Sequence, residues 1–113
     1  MYAPEIKKRE SKDPNEKLIF FKIEEYVKTC FDYIKEAQVS EQIKETIVQV
    51  LTRFVNGGFI NSNQFGLNVR DTIDTILTIT QKDTNPESES KKLYENLKEV
   101  LWLLFDEIKG LTN

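Results

Sequence analysis

Catalysis needs a base, a nucleophile or a set of metal ligands, and this chain offers few of each. It has no histidine and one cysteine, Cys30. That removes phosphorelay histidines, Ser-His and Cys-His nucleophile pairs and imidazole metal sites in one step. Zinc would need several cysteines, and Cys30 falls on the apolar face of a helical pattern, where it reads as a buried structural thiol. Carboxylates are the remaining route. Glu24 with Glu25, and Asp71 with Asp74 three residues apart on one helix face, are magnesium-type pairs. One turn beyond Glu24-Glu25, however, a lysine, Lys28, stands where another carboxylate would strengthen the site. Gly57-Gly58 is not followed by the Gly-Lys-Ser/Thr of a phosphate loop, so it reads as a helix stop. The expectation is a protein that is not an enzyme, with no cofactor, no metal and no small-molecule substrate.

Recognition chemistry is better represented. At about 100° per residue, Val100, Leu97, Leu104, Leu93 and Ile108 cluster on one side of the last helical segment. Trp102, the chain's one tryptophan, falls nearly opposite, among Glu95, Lys98, Asp106 and Lys109. A run of six apolar residues, Val100 to Phe105, wraps that segment all round. Tryptophan is enriched at binding hot spots, so Trp102, with Phe105, Tyr94 and Lys98, marks a candidate interface to a second copy or to another protein. The structural counterpart is a tryptophan covered by the N-terminal arm or by the stems of Lys98 and Lys109. Tyr26 and Tyr33, seven residues apart on the edge of the first helical segment, extend such a surface or serve as boundary residues.

The bulk composition bounds these readings. The chain has 113 residues, of which 39% are hydrophobic, 31% charged and 11% aromatic. This suits one globular domain and is too apolar for disorder, while no apolar run approaches the roughly 20 residues that span a bilayer. The net charge of −3 gives no general attraction to phosphate backbones. Lys7-Lys8-Arg9 is the densest basic run, diluted by Glu5, Glu10 and Asp13. A single cysteine and an N-terminus without an apolar leader point to a cytoplasmic protein. Thirteen lysines against three arginines, with 11 isoleucines and eight asparagines, hint at an AT-rich genome of the bacterial or phage kind.

The elements that must position these residues follow from periodicity. Residues 1–13 read as a flexible N-terminal arm and 14–113 as a single four-helix domain. Asp13-Pro14 is a helix-start signal, and Phe20, Ile23, Val27, Cys30, Ile34 and Ala37 carry a first helix to about Gln38, with Ile19, Tyr26 and Tyr33 along its edge. Ser40 caps a second helix with Ile43, Ile47, Val50 and Phe54 on one face, closed by Gly57 in the left-handed conformation. Asn56 to Asn68 then reads as the one long loop, with Phe59, Ile60 and Phe65 plugging the core. Asn68 caps a third helix from about Val69 to Gln81. Its weak point is Thr75 to Thr80, TILTIT, where β-branched residues also suit a strand, although a lone strand would find no partner. Asn85-Pro86-Glu87 launches a fourth helix from Pro86 to about Lys109, stopped near Gly110.

The expected fold is therefore all-α, an antiparallel up-down-up-down four-helix bundle. The expected role is a helical protein-binding module, a small bacterial or phage accessory, inhibitor or immunity-type protein that presents a helix face and self-associates or binds another protein. The loop aromatics Phe59 and Phe65 count as secondary contact residues. The alternative is a nucleic-acid-associated regulator or small subunit of a nucleoprotein complex, using Lys7, Lys8, Arg9, Arg53 and Arg70.

Overall fold

The computed structural model describes residues 14–112. Four helices follow one another: α1 (Pro14–Glu36), α2 (Glu41–Gly57), α3 (Ser62–Gln81) and α4 (Ser90–Thr112). Each packs on its neighbours in sequence and α4 closes back on α1, whereas the diagonal pairs α1 with α3 and α2 with α4 have no Cα atoms within 8 Å. The result is the antiparallel up-down-up-down bundle that the sequence predicts, with the helices at the corners of a square. The expected arm, residues 1–13, and the start signal at Asp13 lie outside the described residues.

The core repeats the sequence periodicity. Ile19, Ile23, Val27, Cys30 and Ile34 are buried from α1, and Leu93, Leu97, Leu101, Leu104 and Ile108 from α4. Full burial of such a side chain contributes about 1.5–3 kcal/mol each. On α1 it is Ile19, expected at the edge, that is buried, while Phe20 is only partly covered. Thr75 to Thr80 is helical throughout. Its threonines accommodate the helix by donating their hydroxyls backward, Thr75 to Asp71 O and Thr78 to Asp74 O, four residues upstream.

The expected long loop is a correction. Only residues 58–61 lie outside helices between α2 and α3, and α3 begins at Ser62, two turns before Val69. Asn61 is the true cap: its Oδ1 accepts from Gln64 N at 2.8 Å. Phe65 thereby joins Val69, Ile73 and Ile76 on one buried stripe. The closing glycine is Gly58, not Gly57, with φ 70° and ψ −158°. Ile60 does not plug the core, being 73% exposed, whereas Phe65 is buried and Phe59 half-buried.

The start of α4 is a second correction. Pro86 sits in a turn, and the helix begins at Ser90. Asp83 organises this connection: its carboxylate accepts from the Ser88 and Ser90 hydroxyls and from Asn85 N, and Asn85 Oδ1 accepts from Glu87 N. Those bonds hold residues 83–89 in a turn, with Pro86 inside it, and the helix begins only after them. At its far end α4 runs through Gly110 to Thr112, and α1 stops at Glu36, two residues before the expected end at Gln38. Lys44, buried although charged, ties that corner by donating Nζ to Lys35 O at 3.1 Å.

Candidate interaction surface

The helix ends around residues 58–61 enclose a relay of aromatic rings. Phe65 sits at its centre, with ring centroids 5.6 Å from Phe54 and 5.6 Å from Phe59. It stacks at 6.5 Å on Phe105 from α4, and Phe105 in turn meets Trp102 edge to face, at 5.8 Å and 82°. The relay runs from the bundle centre to the half-buried indole. Residue 66 being glycine leaves room for the Phe105 ring, whose Cε1 would stand 3.0 Å from a Cβ at that position. Ser62 and Thr112 share a hydrogen bond of 2.7 Å at the same end of the pair.

The expected recognition residues divide accordingly. Phe65 belongs to the core, a correction to its place as a contact residue, since it is 1% exposed. Phe59, Phe105, Tyr94 and Trp102 are half-buried. Trp102 lies off the core stripe of α4 as the helical wheel predicts, is not itself buried, and is joined to the core through Phe105. Lys98 is exposed and stands over the Tyr94 ring, with Nζ 5.9 Å from its centroid. The structure thus pairs Trp102 with Phe105 and Lys98 with Tyr94 along α4, and Phe105 lies against α3.

The two tyrosines of α1 face the other side of α4. The Tyr26 hydroxyl donates to Glu107 Oε2 at 2.5 Å, and Lys22 Nζ lies 2.9 Å from Glu107 Oε1. The Tyr26 bond, followed by Lys22, holds the Glu107 carboxyl below its usual value, and the same contacts raise Lys22 and Tyr26. Tyr26 is thus a clasp between α1 and α4. Tyr33, 40% exposed, lines a cavity of about 210 Å³ between the same helices with Glu36, Lys92 and Asn96.

Sequence reasoning missed three exposed apolar side chains, Leu18, Phe21 and Leu67, while Leu103, exposed too, falls in the apolar run Val100 to Phe105. The signal was present: on α1, Phe21 lies about 160° from the mean direction of the buried residues. Between α2 and α3, Arg53, Asn68, Asp71 and Thr72 line a groove of about 410 Å³. Arg70 is exposed and does not line it, so the two arginines share no basic cleft, while Lys7, Lys8 and Arg9 lie outside the described residues. No group of three or more His, Cys, Asp or Glu among the described residues is placed to hold a metal ion. Among them, too, no helix is long and apolar enough to cross a membrane. Burial pushes the Cys30 thiol up to about 12, which makes it a poor nucleophile at neutral pH.

The fold and this surface define a small all-α bundle with a core-anchored aromatic face. Comparison with known proteins found no matching family model, no matching curated protein and no matching solved structure.

Proposed function

We propose that this protein is a non-enzymatic binding module, a cytoplasmic accessory, inhibitor or immunity-type protein of bacterial or phage kind, that engages a protein partner through the outer face of α4 around Trp102. The observation that carries this reading is the ring relay from Phe65 through Phe105 to Trp102. A partly buried tryptophan braced from behind by core rings loses little freedom on binding, which is how hot-spot residues contribute affinity. The acidic net charge and the separation of Arg53 from Arg70 favour a protein over a nucleic acid.

The test is capture of partners on the immobilised chain, with bound proteins identified by mass spectrometry, against Trp102→Ala of unchanged melting temperature. A protein retained by the natural chain and lost from the variant supports the reading. Equal retention by both, or retardation of nucleic acid at low salt with no protein bound, overturns it.

A further inference from the structure

The outer face of α4 carries its charges in two columns. Lys91, Lys98 and Lys109 are seven and eleven residues apart, near whole numbers of turns, so they form one line along the helix. Glu95, Glu99 and Asp106, four and seven residues apart, form a second line about 40–80° further round. Trp102 lies between the two lines. All six charged residues are exposed, and none of them is in an ion pair among the described residues, where the pairs are Lys22 with Glu107 and Lys92 with Glu89.

We infer that this face takes a second copy of the same chain, α4 against α4 in parallel about a twofold axis, with the two Trp102 indoles meeting on the axis. The inference rests on the protein-binding reading and names its partner. Symmetry decides the direction. A twofold axis along the helices carries each flank of one α4 to the opposite flank of the other, so the lysine column of each copy faces the carboxylate column of its mate. Heights agree as well: at about 1.5 Å per residue, Lys98 lies about 1.5 Å along the axis from Glu99 of the mate, Lys109 about 4.5 Å from Asp106 and Lys91 about 6 Å from Glu95. An antiparallel twofold contact would set lysines against lysines and carboxylates against carboxylates, which is repulsive. A flat, single-sign partner such as a nucleic-acid backbone would meet one column favourably and the other unfavourably.

Three forms of the full chain test this by sedimentation and by the fluorescence of its one tryptophan. The first is the natural chain; the second carries Lys91→Glu, Lys98→Glu and Lys109→Glu; the third carries Glu95→Lys, Glu99→Lys and Asp106→Lys. The natural chain is expected to dimerise with a blue-shifted Trp102 emission and to dissociate as salt rises. Each variant alone has like charges on both flanks and should dimerise at least about tenfold more weakly, and an equimolar mixture of the two should recover a heterodimer. Single Lys98→Glu and Glu99→Lys forms repeat the experiment where a triple variant melts early. Direction is read by mixing Lys98→Cys with Glu99→Cys chains, the pair closest in height: parallel pairing gives the mixed disulfide, and buried Cys30 stays out of the reaction. A natural chain that remains monomeric at high concentration, a dimer indifferent to both variants, or no mixed disulfide overturns the inference. If that happens while Trp102→Ala still abolishes capture of another protein, the binding-module reading stands and the self-pairing falls.

Discussion

Phe105 lies against the backbone of Gly66: a Cβ built on that glycine would stand 3.0 Å from the Phe105 Cε1 atom. Gly66 is in the interior of α3, where glycine costs roughly 0.5–1 kcal/mol relative to alanine. The close approach of α3 and α4 and the stacking of Phe105 on Phe65 compensate that cost. Gly66→Val adds volume directly into the ring and should destabilise by about 1–3 kcal/mol. Gly110, with nothing within 4 Å of a built Cβ, is the control: Gly110→Ala should stabilise, by at most about 0.5 kcal/mol so near the helix end. Urea unfolding of both variants decides the point, and a neutral Gly66→Val would show that the helices do not depend on this contact.

Gly58 has the opposite constraint, on its backbone. Its φ of 70° with ψ of −158° is accessible to glycine and strained for any L side chain, and its N–H closes α2 by donating to Val55 O at 3.1 Å. Gly58→Ala should cost of order 1–3 kcal/mol. Gly57→Ala, one residue earlier and with open space around it, should cost far less. Thermal melts of the two variants separate a true conformational requirement from a mere composition preference at the Gly-Gly pair.

These two glycines also explain what was legible in the sequence. The period of 3.6 placed the four stripes and the bundle, because burial of one face per helix leaves little choice at this length. It failed where a residue type signals a loop for one reason and is present for another. Gly66, with the asparagines Asn61, Asn63 and Asn68, resembles a loop, yet the glycine serves helix packing and Asn61 serves as the cap. Pro86 failed the same way, because Asp83, Ser88 and Ser90 form a competing capping network that only the folded turn assembles. Trp102 was visible as a residue off the core stripe. That Phe105 would brace it was not visible, since that contact depends on how closely α3 approaches α4.

The Tyr26 clasp predicts the acid limb of stability. The Tyr26 hydroxyl first, and Lys22 second, hold Glu107 below its usual value near 4.5 in the folded chain. On acidification the unfolded state therefore binds a proton before the folded state does. The stabilisation is complete above the unfolded value and is lost as pH falls through the lowered folded value. Asp83, lowered chiefly by the hydroxyls of Ser88 and Ser90, contributes with the same sign, so the informative quantity is a difference between variants. Tyr26→Phe should flatten the fall in melting temperature as pH drops below the usual glutamate value and leave the Asp83 share in place. Identical acid limbs for the natural chain and Tyr26→Phe would show that the clasp contributes no linked stability.

Cys30 reports on the core from which the whole surface is built. It is fully buried on α1, and desolvation raises its thiol to about 12, so at pH 8 it is protonated and shielded together. Thiolate is the reactive form, so a thiol reagent should label the natural chain only when the bundle opens. Labelling should be slow in buffer, accelerate through the urea transition and show the same midpoint as helix loss by circular dichroism. Gly66→Val should speed labelling in buffer about tenfold for each ~1.4 kcal/mol of stability it loses, because both α1 and α3 line one core. A Trp102→Ala chain loses the edge-to-face contact with Phe105 and should label no more than about tenfold faster than the natural one if the indole's main contribution is to a partner and not to the bundle. Labelling of Trp102→Ala faster than that would instead assign Trp102 a share of core stability and weaken the case for α4 as a binding face.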